Sequence, residues 1–267
     1  MKTSSSEISA VLDPHTAFQF LRYRIEEAGT YVFTERVNDA SFKGFCFERD
    51  RNFFLFVNST RQSARTRIFT AIHELAHLMC KQEGIVDVSR QRLKIERYCN
   101  AVTANYLLPA DNFLETLERL GLSPSLAPTT IVNRLAGALP FSKFFLAIRL
   151  QEVDRGFRGF ASSWLRAVKL SIPESEADPE ELRDFEAGLN ELDTDAEDKD
   201  AIRRQGTGGY HSARLGFNAV KLASLARKQD IVSVFDLEEA LSIPARAFDK
   251  VVESNDRRIK EVHRGAP

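Results

Sequence analysis

The sequence predicts an α+β fold: a small antiparallel sheet with packed helices, then a helix-turn-helix-like segment and a mainly helical C-terminal region. Three observations predict it. Between residues 30 and 59 lie three short runs rich in β-branched and aromatic residues, "TYVFTERV", "FKGFCFER" and "RNFFLFVNS". After them, apolar residues recur at helical intervals between proline and glycine stops. The composition, 43% hydrophobic and 28% charged, suits a chain that buries cores of its own.

Each element follows from local signals. Residues 16–28 carry Phe18, Leu21 and Ile25 on one side and stop at Gly29. The three strands come next, and Asp50-Arg51 makes a tight connection before the third. A helix is expected over residues 60–80, with Ser59 and Gln62 spaced as a capping box. A second helix over 90–108 must end at Pro109, which cannot continue the hydrogen-bond ladder. A third, 111–120, closes at Gly121. "LSPSLAPTT" reads as a linker, which divides the chain into 1–124, 125–160 and 161–267.

The segment "TIVNRLAGALPFSKFFLAIRLQEVDRG" reads as helix, turn near Pro140-Phe141-Ser142, helix. Its second helix offers Lys143 and Arg149, but also Phe141, Phe144 and Phe145, a set better suited to packing than to phosphate. Residues 174–200 hold 13 acidic residues against Arg183 and Lys199 and read as a solvated charge run. "RRQGTGGYH" reads as a glycine-rich hinge with His211 on the surface. Residues 212–228, 236–241 and 245–252 read as helices.

Several function classes lack support. The net charge of −1 gives no general pull toward nucleic acid or membrane. No apolar run nears the roughly 20 residues that span a bilayer, and the first residues do not resemble a secretion signal. Cys46, Cys80 and Cys99 are odd in number and lack CxxC spacing, which argues against a disulfide framework or a thiolate zinc site. A cytoplasmic location is expected.

The chemistry concentrates in "FTAIHELAHLMC". One helical turn advances about 3.6 residues, so His73 and His77 share a face and can grip one ion. Glu74 is rotated away by one residue and can stand beside the metal's water. Ile72, Ala76 and Met79 form an apolar stripe, so the helix is expected to be partly buried, and a buried charge-bearing trio calls for a metal partner. The third ligand is open among acidic residues downstream. The positions that a metzincin fills with glycine and histidine hold Cys80 and Glu83, so that pattern fails. Glu96, on the following helix, is the best candidate, as in His₂Glu zinc sites. Asp87 competes from a looser loop, and Glu83 points off the helix end. Zn²⁺ suits such donors, and Mn²⁺ is tolerated by them too.

"RIFTAIHELAHLM" followed by "IERYCNAVTANYLLP" resembles the ImmA/IrrE family of metallopeptidases. The matching positions are Phe69, Thr70, His73, Glu74, His77, Glu96, Asn100, Leu107, Leu108 and Pro109. The upstream strands resemble that family as well, and "GGYHSARLGFNAVKLASLARKQDIVSVFDLEEAL" is similar to a tail of its longer members. No amino-terminal repressor module, which some fused relatives carry, precedes the match.

The resemblance implies a cytoplasmic zinc endopeptidase that cuts a separate helix-turn-helix repressor and releases stress-response or mobile-element genes. His73, His77 and Glu96 would hold the ion and Glu74 would act as general base. Tyr98 and Asn100 are candidates to support the ligands or touch substrate. Two other readings stand beside it. One is a non-proteolytic regulator that binds DNA or protein through residues 127–155 around a structural metal. The other is the effector half of a toxin–antitoxin pair.

Overall fold

The computed structural model describes residues 8, 11, 13–37, 42–60, 62–80, 90–169 and 208–265. The acidic stretch 174–200 and the two rival ligands Glu83 and Asp87 lie outside them. The first helix, α1 (Pro14–Glu27), opens on Asp13, whose carboxylate accepts the Thr16 amide at 2.7 Å. Pro14 occupies the first turn, where a missing N–H costs nothing. Phe18, Leu21 and Ile25 are buried, as the helical spacing predicts.

Three strands follow: β1 (Thr30–Glu35), β2 (Gly44–Arg49) and β3 (Asn52–Asn58). Asp50 and Arg51 join β2 to β3 with φ of 51° and 63°, both in the left-handed region that a two-residue hairpin turn requires. The pair is antiparallel, with Cys46 opposite Leu55. The expectation of a wholly antiparallel sheet is corrected by β1, which runs parallel to β3 with Val32 opposite Leu55. The strand order is β1-β3-β2. β3 is apolar on both faces and so takes the centre, while β2 ends in Glu48 and Arg49 and suits an edge. β1 and β3 are not hairpin neighbours, so nothing forces them antiparallel.

The HExxH helix, α2 (Ala64–Met79), packs on the sheet face lined by Val32, Leu55 and Val57. It starts later than predicted. Ser63, not Ser59, caps it by accepting the Thr66 amide. Gln62 is drawn inside instead: its amide nitrogen donates to the Lys43 carbonyl at 2.8 Å and to the Asn58 carbonyl. Its carbonyl oxygen accepts from the Thr70 hydroxyl at 2.8 Å. Three partners for one buried amide outweigh a reciprocal cap. Met79 is 76% exposed, so only Ile72 and Ala76 of the expected stripe face the core.

The helices α3 (Arg90–Leu107) and α4 (Ala110–Arg119) meet at Pro109. Then α5 (Pro128–Ala138) and α6 (Lys143–Val153) form the helix-turn-helix-like pair, bent by 108°. Ser142 caps α6 by accepting the Phe145 amide at 3.3 Å. Phe141 and Phe145 are buried, as their apolar character predicts. Arg149 is buried too: it donates to the Leu108 carbonyl at 2.9 Å and to Asn105 at 2.8 Å, tying α6 to the end of α3. α7 (Phe160–Lys169) completes this part.

The C-terminal helices are α8 (Gly208–Leu215), α9 (Phe217–Lys228), α10 (Val234–Leu241) and α11 (Phe248–Gly265). Gly208 to His211 are helical where a hinge was expected. At Gly208 a Cβ would stand 2.4 Å from the Lys250 carbonyl oxygen, so this glycine permits helix contact instead of a turn. His211 is buried, not on the surface, because α8 is enclosed between β1 and α11. Gly216, with φ +87°, splits the single helix expected over 212–228. One continuous core runs from α1 through the sheet and α2 to α7, and Phe217 and Val262 join it from the C-terminal part. Among the described residues no single helix is long and apolar enough to cross a membrane.

Candidate metal centre

Residues one turn apart on α2 face the same way, and α3 brings a carboxylate to meet them. The Nε2 atoms of His73 and His77 are 3.1 Å apart. Glu96 places one oxygen 3.3 Å from His73 Nε2 and the other 3.5 Å from His77 Nε2. Donors arranged tetrahedrally at 2.0–2.1 Å from a zinc ion stand about 3.3 Å from one another. The three observed separations bracket that spacing, so these side chains fit a divalent ion and leave a fourth direction open. Among the described residues they form the one group of histidine, cysteine and acidic donors able to hold a metal.

The electrostatics favour the ligand form of the imidazoles. Burial, then the neighbouring His77, hold the His73 pKa below its usual value, against the pull of Glu96. A neutral imidazole has the lone pair that a metal needs. Glu74 stands on the β2 side of the helix. Burial, then the Glu96 charge, push its carboxyl up to about 7, while a hydrogen bond from the Cys46 thiol opposes the rise.

The surrounding residues explain why these side chains sit so. Phe69 stacks on His73 with ring centroids 5.8 Å apart and leans on Phe145 of α6 at 5.6 Å. Thr70, through Gln62, fixes the helix to the ends of β2 and β3. Gly44 lets β2 press against the helix: a Cβ there would stand 2.9 Å from Thr70 Cγ2 and 3.0 Å from Glu74 Cγ. Leu107 and Leu108 are fully buried and anchor the end of α3.

Of the predicted site residues, His73, His77 and Glu96 come together and Glu74 stands beside them. Asn100, one turn beyond Glu96, hydrogen-bonds to His73. Tyr98 is 59% exposed on α3. Sequence reading passed over Cys46 and Gly44. A lone glycine inside a strand-like run marks close backbone approach, and that signal is present in "FKGFCFER".

Compared with known families, residues 25–151 match the profile of the IrrE N-terminal-like domain, Peptidase_M78. No curated protein and no solved structure matches the chain. The matched span covers the sheet, the HExxH helix, the Glu96 helix and nearly all of the α5–α6 pair. Across residues 25–151 the chain is therefore similar to the IrrE N-terminal-like domain, Peptidase_M78.

Proposed function

We propose that the protein is a zinc-dependent endopeptidase of the ImmA/IrrE type that cleaves a partner helix-turn-helix repressor in the cytoplasm. The observation that carries this reading is the convergence of His73, His77 and Glu96 with Glu74 beside them. His73, His77 and Glu96 would hold a divalent ion, which would supply Lewis acidity toward a peptide carbonyl and a water. Glu74, standing beside the trio, would take a proton from the attacking water and return it to the departing amine. Glu96 keeps its charge close to both imidazoles, and Asn100 orients His73. Exposed Tyr98 is available to an incoming peptide from the same helix.

The α5–α6 pair supports the peptidase reading over DNA binding. Its Arg149 is spent on Leu108 and Asn105 inside the protein, and its Phe145 packs against Phe69 of the HExxH helix. The test is incubation of the zinc-loaded protein, and of Glu74→Gln, with a helix-turn-helix repressor encoded beside it. Cleavage by the native chain and loss of at least about 100-fold in the variant is expected. Equal cleavage by both sinks the mechanism. A manganese-loaded arm decides which ion serves.

A further inference from the structure

All three cysteines of the chain gather around the two helices of the metal centre, outside the cluster of metal donors. Cys46 is buried and occupied by Glu74. Cys80 is the half-buried C-cap of α2, three residues past His77, its amide bonded to the Ala76 carbonyl at 3.1 Å. Cys99 lies on α3, three residues past Glu96, and is completely buried. The side chains of Cys80 and Cys99 are in hydrogen-bond contact across the helix pair. The helices that carry them are held together by the Glu96 contacts to His73 and His77.

We propose that Cys80 and Cys99 form a reversible disulfide when the protein meets a hydroperoxide, bonding the end of the HExxH helix to the helix that carries Glu96. The chemistry balances in two steps. Cys80, the thiol that solvent reaches, attacks one peroxide oxygen. The O–O bond breaks, leaving a sulfenic acid on Cys80 and releasing one water when the oxidant is hydrogen peroxide. The Cys99 sulfur then attacks the sulfenic sulfur. The S–O bond breaks, the Cys99 proton leaves with the oxygen as a second water, and the S–S bond forms. The peroxide is reduced, the two thiols are oxidised, and no other reagent is required.

The order of attack follows from the surroundings. Cys80 is half-buried whereas Cys99 is completely buried, so peroxide reaches Cys80 first. Cys99 acts as the resolving thiol, within reach of Cys80. Cys46, held against Glu74 on β2, is the internal control. The inference stands apart from peptide cleavage, since it concerns only these thiols and the helices they join.

The experiment uses the full chain, treated with a few equivalents of hydrogen peroxide, alkylated, digested and mapped by mass spectrometry. The expected result is a Cys80–Cys99 linked peptide, a mass loss of about 2 Da in the intact chain, and Cys46 still alkylated. Dithiothreitol restores all three thiols. The exposed-side variant Cys80→Ser, checked for native circular dichroism, forms no intramolecular link, whereas Cys46→Ser forms it as the native chain does. The proposal is overturned if the peptide map of the native chain shows Cys80 and Cys99 alkylated as fully as Cys46, or joined only between chains.

Discussion

Glu74 carries the opposing demands of the site in a single side chain. Burial and the Glu96 charge raise its carboxyl from 4.5 to about 7. A folded-state value above the unfolded one favours the fold below the unfolded pKa, and that contribution is lost as pH rises through about 7. In the metal-free protein, Glu74→Gln is therefore expected to add about 3 kcal/mol of stability near pH 8, with the gain disappearing below the unfolded value. Urea denaturation in the presence of a chelator measures it. A gain equal at both pH extremes would place the effect elsewhere. Phe69→Ala removes the ring between His73 and Phe145, and zinc affinity is expected to fall about 10-fold. Competition with a chelating dye reads that change. Spacing alone puts His73 and His77 on one face, and Glu96 follows once a returning helix is inferred. The Cys46 contact with Glu74 depends on how β2 lies across α2, and no local pattern encodes that.

At the scale of elements, β2 is the strand that holds the HExxH helix in place. Gly44→Ala would push a methyl into Thr70 and Glu74, and it is expected to cost about 1–3 kcal/mol and to displace Glu74. A thermal melt beside a zinc titration checks both effects, and a variant as stable and as zinc-competent as the native chain contradicts the close approach. Helix and strand existence were legible from apolar period and from proline and glycine stops. The start of α2 was not, because two candidate serines compete and buried Gln62 decides between them through partners distant in sequence. The parallel β1–β3 pairing was equally hidden, since it reflects which strand is apolar on both faces.

Across the whole molecule, buried ions fasten the C-terminal helices to α1 and the sheet. Arg22 bonds Glu26 at 3.0 Å and reaches the Ala213 and Val32 carbonyls, and Glu26 accepts the Asn218 amide at 2.6 Å. Arg258 of α11 donates to the Gln19 side-chain oxygen of α1 at 2.5 Å and to the Ser212 carbonyl at 2.6 Å. Arg22→Met leaves Glu26 buried without its nearest cation, and a loss of about 3–5 kcal/mol is expected in denaturant unfolding. Adding Glu26→Met should recover part of it, and a double variant no better than the single one contradicts the pairing. The contacts of Arg22 with Ala213 and of Glu26 with Asn218 join residues nearly two hundred positions apart, which explains why His211 read as a surface residue and is in fact enclosed.

His73, His77 and Glu96 are proposed to hold the ion while Glu74 acts beside it. Zinc content and affinity, measured after dialysis in the native chain, Glu74→Gln and Glu96→Ala, test it most directly. About one zinc per chain is predicted for the native protein and for Glu74→Gln, with affinity reduced at least about 100-fold in Glu96→Ala. Full zinc retention in Glu96→Ala, or equal loss in Glu74→Gln, would contradict that division of roles.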